Sequence, residues 1–148
     1  MWINLYIYYH VSLAKLSISL GGVELIKRVQ DGVLQEIRTV SKMKILDHRD
    51  IVEIDIPDSK GNVLQNMGCD SSEIILTGEM TGKDSHTALE KLRSKYENNK
   101  PMEFTSSISV IADISEVLIE ELYVEQNAAK PNSFRYTAVL REYVPPKD

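Results

Sequence analysis

Residues 117–144, VLIEELYVEQNAAKPNSFRYTAVLREYV, read as two long extended segments around a polar turn, and no other stretch constrains the fold as strongly. Phe134, Tyr136, Ala138 and Leu140 alternate with Arg135, Thr137, Val139 and Arg141, which predicts a strand with one apolar and one mixed face. In the first segment the apolar parity changes: Val117 and Ile119 are odd, Leu122 and Val124 even. An extra residue at Glu120-Glu121 would restore a continuous apolar face, so a β-bulge is expected there. Strands of ten residues span about 33 Å at about 3.3 Å per residue, well beyond the usual five or six residues. Such a hairpin can cover a core and still project past it.

The rest of the chain supplies a core for that hairpin. With 148 residues, 43% of them hydrophobic, a single domain spanning residues 1–148 is expected, with residues 1–16 as an N-terminal extension or extra strand. Ile3, Leu5, Ile7, Tyr9, Val11 and Leu13 alternate with polar positions, and the aliphatics then shift to Leu16, Ile18 and Leu20, which places a bulge or turn near Ala14 and Lys15. This segment lacks the basic leader of a signal peptide and the plain aliphatic run of a membrane anchor, so no membrane insertion is expected.

Gly21-Gly22 reads as a turn, and residues 24–44 show no clean period. IVEIDIP at 51–57 predicts a strand stopped by Pro57, with Glu53 and Asp55 on a solvated face, and Gly61-Asn62 a turn tolerant of positive φ. SEIILTGEMTG at 72–82 predicts a strand with Ile74, Leu76 and Met80 inward and a kink or close backbone approach at Gly78. Residues 84–98 predict the one strong helix: Ala88, Leu89, Leu92 and Tyr96 share a face, Asp84 or Ser85 can cap its start, and Pro101 follows its end. MEFTSSISVIADIS at 102–115 resumes strand character. One helix among strands predicts an α+β, mostly β domain rather than an alternating α/β one.

Chemistry is sparse. His10, His48 and His86 are far apart and none stands at metal-ligand spacing from another His or Cys, so no metal or cofactor is expected. The glycines of SLGGVEL match no phosphate-binding pattern. The acidic run Asp47, Asp50, Glu53, Asp55 and Asp58 fits a solvated sheet face better than paired catalytic carboxylates, and an enzyme would need distant groups such as Asp55 and Glu73 to converge. Cys69 has no basic neighbour to activate it and reads as a small structural residue in a reducing compartment. The net charge of −5, with scattered Lys and Arg, disfavours specific nucleic-acid recognition. Seven tyrosines are present, three of them in the closing hairpin; packing across rungs is their ordinary use, and anchoring a protein interface is the functional one.

The order of these signals carries a resemblance. ISLGGVEL, VEIDIP, a Gly-Asn turn, QNMG leading into SEIILTGEMTG, one amphipathic helix, KPMEFTS and the closing FRYTAVLREY resemble tail and baseplate proteins of phages and phage-like contractile injection systems, over residues 17–144. The tube-initiator or hub-adaptor proteins, the N-terminal domain of the DNA circularisation proteins and the distal tail proteins are the groups it is similar to. The resemblance implies a tail-tube-like β-sandwich or split barrel with one flanking helix, non-enzymatic, in a homo-hexameric ring that joins the tail tube protein to a baseplate hub or spike protein. The particle would assemble in the cytoplasm, with an acidic lumen that anionic cargo slides past. The candidate subunit interface is Tyr123, Glu125, Phe134, Arg135, Tyr136, Arg141 and Tyr143, and a small β-barrel ligand-binding module is the alternative expectation.

Overall fold

The computed structural model describes residues 18–25, 38–58, 60–106 and 112–147. The expected strand at 3–13, its parity switch near Ala14 and Lys15, and residues 107–111 of the 102–115 segment lie outside them. Nine strands and one helix are described: β1 Ser19–Leu20, β2 Val23–Glu24, β3 Arg38–Leu46, β4 Arg49–Ile54, β5 Val63–Cys69, β6 Glu73–Thr81, α1 Ser85–Glu97, β7 Met102–Thr105, β8 Glu116–Gln126 and β9 Ser133–Glu142. Seven strands form an open antiparallel sheet in the order β2-β1-β7-β8-β9-β6-β3, while β4 and β5 pair only with each other. The fold is therefore mostly β with one helix, as expected, and the sheet does not close.

The closing hairpin is the sheet's centre. β9 pairs with β6 from Ser133 to Arg141 on one side and with β8 from Phe134 to Glu142 on the other. Its inward row is Phe134, Tyr136, Ala138 and Leu140, beside Ile74, Leu76, Gly78 and Met80 of β6, and all eight are buried. The β8 ladder shifts register between Ile119 and Glu121, which is the bulge expected from the change of parity, and both Val117 and Leu122 consequently face the core. Gly78 lies directly across from Tyr136, so the missing side chain leaves room on the inward face beside the phenol ring. The strand does not break there. The irregularity sits in β3, where the register shifts between Val40 and Lys42, opposite Gly78 and Thr77.

The helix backs this face with Ala88 and Leu92, both fully buried, and with Leu89 partly so. Asp84 occupies the position before the first turn but makes no side-chain capping bond; only its carbonyl is used, accepting from the Ala88 N–H at 2.9 Å. At the other end Asn99 takes a left-handed φ of 48°, a conformation that helix ends favour and Asn tolerates, shortly before Pro101. Tyr96 is 43% exposed, so the helix buries a narrower stripe than its sequence predicts.

Gly21 and Gly22 form the two-residue turn between β1 and β2 with φ of 56° and 81°. Positive φ at both centres is the turn that matches strand twist in a tight hairpin, and only glycine adopts it freely at both positions. Leu20 and Leu25 on either side are fully buried, and Phe104 joins them from β7.

Candidate functional site

The seven residues expected at a subunit interface separate into groups. Phe134 and Tyr136 are 5% and 1% exposed and belong to the core of their own subunit. This corrects the expectation for these two, and the cause is register: they share the inward row with Ala138 and Leu140. Burial pushes the Tyr136 phenol well above its ordinary pKa, and its hydroxyl has no hydrogen-bond partner among the described residues. Tyr123, Glu125 and Arg135 are exposed, and Arg141 and Tyr143 are half-buried.

Arg141 is engaged within the subunit. Its guanidinium contacts Glu120 at 2.8 Å and Glu73 at 3.2 Å, which ties β9 to the bulge of β8 and to β6. The hydrogen bond to Glu120 is the main reason its pKa rises further above the ordinary value. Tyr123 donates to Glu121 at 2.6 Å, and holding its proton against that carboxylate raises its pKa. Glu73 is thus paired with Arg141, while Asp55 lies beyond the end of β4 on the separate hairpin, so the two carboxylates raised as a catalytic pair belong to different parts of the molecule.

Backbone edges give the surface its character. β8 meets β9 along most of its length, but on its other side it meets β7 only at Glu116 and Val117. From Leu118 to Gln126 that edge has no strand beside it among the described residues. The groove between this edge and α1 is lined by Leu89, Arg93, Tyr96, Leu122 and Val124. Among the described residues β3 ends the sheet, so its outer edge has no strand beside it either.

A second feature was only half legible. β4 was expected as a strand with Glu53 and Asp55 on a solvated face; the strand is present, and every residue of β4 and β5 is exposed. Ile51, Val52, Ile54, Val63, Leu64 and Met67 are between 41% and 65% exposed. Cys69 is exposed at the end of β5. At the root of the hairpin His48, Asp50 and Asp70 come together with ligand atoms within 4.8 Å, and His48 pairs with Asp50 at 3.2 Å. Sequence spacing missed Asp70 because it arrives across the hairpin, where its N–H donates to the His48 carbonyl at 3.0 Å. All three side chains are exposed. Among the described residues no helix is long and apolar enough to cross a membrane.

No family model matches this chain, and no curated protein does. Two solved structures are similar in part. A chain from the virion of a native gene transfer agent particle aligns with a TM-score of 0.45 and 17% identity, covering 72% of this chain and 81% of that one. A chain from the tail of an empty gene transfer agent particle with C6 symmetry aligns at 0.44 and 16%, covering 70% and 77%. At these values the functional reading rests on the chain's own residues.

Proposed function

We propose that this chain is a structural, non-enzymatic component of a phage tail or phage-like contractile injection particle, forming a ring, hexameric in our reading, that joins the tail tube to the baseplate hub or spike. The observation that carries the proposal is unfinished backbone: among the described residues, β8 leaves Leu118–Gln126 open on one side and β3 is open along its outer edge. Open edges present rows of unpaired N–H and C=O groups that another chain can complete. Two different open edges on one subunit suit head-to-tail contacts, and such contacts close into a ring when the rotation between copies closes. The ordered phrases from ISLGGVEL to FRYTAVLREY support the tail assignment by resemblance.

Tyr123 and Glu125, on the open stretch of β8, are the residues of the expected interface that keep this role, with Arg135 beside Glu125 across the ladder. The open sheet does not favour the alternative of a closed ligand-binding barrel. Coexpression with tail tube, hub and spike proteins of the particle the chain is proposed to serve, followed by electron microscopy, tests the proposal. Rings or stubs that contain this chain are the expected result. A protein that stays monomeric in their presence and is left out of every particle would overturn it.

A further inference from the structure

We infer that the β4–β5 hairpin is an arm that docks on the outer edge of β3 in a second copy of this chain. This rests on the self-assembly proposed above and names the occupant of one of its two open edges, that of β3.

Among the described residues of its own subunit, nothing completes the arm. A lone two-stranded hairpin is marginally stable in water, and this one holds Ile51, Val52, Ile54, Val63, Leu64 and Met67 in solvent. Val52, Ile54 and Val63 share one face of its ladder, since Ile54 pairs with Val63 and Val52 stands two residues away. An apolar strip of this kind on paired strands is a surface that awaits a cover.

Charge decides which edge supplies it. Residues 47–70, comprising the arm and its root, carry six acids against two bases. The open stretch of β8 contains Glu120, Glu121 and Glu125 and no base; Arg141 offsets Glu120 and Arg135 stands across from Glu125, so this edge offers the arm no surplus of positive charge. β3 is the opposite. After its bulge it presents Lys42 and Lys44, both exposed, and then Leu46, 46% exposed, with no acid between Val40 and Leu46. Lysines on an edge strand discourage indiscriminate strand pairing, yet they admit a strand that brings carboxylates. The arm brings two such carboxylates, Glu53 within β4 and Asp55 just past its end, both exposed. One copy thus offers an acidic arm and a basic edge, which is the head-to-tail pattern that a ring requires.

The test uses two charge-reversed full-length chains, K42E/K44E and E53K/D55K, whose altered side chains are all exposed. Sedimentation velocity from micromolar to millimolar protein is expected to show self-association of the wild type. Each variant alone should associate roughly tenfold to a hundredfold more weakly, because like charges then face each other across the contact. Mixed in equal amounts they should associate again, since each arm now meets an edge of opposite sign. Unchanged thermal midpoints would show that both variants fold. A wild-type chain that stays monomeric throughout, or variants that associate as well as the wild type, would overturn the inference, as would slow amide exchange of the arm in a monomer, which would place the cover within the same chain. The purified chain alone gives this readout, so it can fail while capture into tail particles succeeds, and the reverse.

Discussion

Two of the molecule's antiparallel hairpins, β8–β9 and β4–β5, live in opposite environments. β8–β9 occupies the middle of the sheet, with β6 beyond β9 and α1 across its inward face. Among the described residues β4–β5 has no third strand and no helix, and both of its faces meet solvent. Alternation of apolar and polar residues is present in both β4 and β9. It tells which side chains share a face, and neighbours alone decide whether that face is buried. A strand's pattern is therefore evidence about pairing before it is evidence about a core.

This contrast can be broken or sharpened by measurement. The largest difference is expected in native-state amide exchange, where Leu76 and Ala138 in the sheet should exchange only on global opening while Val52 and Leu64 exchange orders of magnitude faster in the monomer. Comparable protection in both hairpins of a monomer would erase the distinction.

Next in size is core truncation. Leu76→Ala or Leu140→Ala, each removing a fully buried side chain, should cost about 2–5 kcal/mol in denaturant unfolding. A smaller effect concerns the Tyr136 hydroxyl. Its pKa is raised in the fold, so the unfolded chain loses the proton first and stability must fall as pH rises past the ordinary tyrosine value of about 10. Tyr136→Phe is expected to lessen that alkaline loss while leaving stability near neutral pH within about 1 kcal/mol, because the hydroxyl has no partner to lose among the described residues. An alkaline profile unchanged by the substitution would contradict the burial argument. Smallest of all should be Ile51→Ala on the arm, within about 0.5 kcal/mol for the monomer, since none of the described residues covers that side chain.

The sequence disclosed what local rules govern. The Glu120 bulge followed from parity, α1 from its apolar stripe, and the Gly21-Gly22 turn from its glycines. β3 was missed because its own bulge at Ser41 puts Val40 out of phase with Met43 and Ile45, which defeats a period-two count. β5 was missed because VLQNMGC has solvent on both faces and no reason to alternate cleanly. The interface list erred where residue type outweighed register: Phe134 and Tyr136 stand in one row with Ala138 and Leu140, and that row already named the core. Edge openness depends on which distant strand lies alongside, so the open side of β8 had no local signature, and neither did the gathering of His48, Asp50 and Asp70.

The position of β9 has a kinetic consequence. Glu73 of β6 reaches its ion-pair partner Arg141 across 68 residues of chain, and β9 must enter between two strands made earlier. Contacts of such long range form slowly, because the loop must close before anything rewards it. During synthesis the β6 and β8 ladders wait for residues 133–142 to emerge, so a truncation upstream of this strand leaves the nascent chain with a gap at its centre rather than a shortened rim.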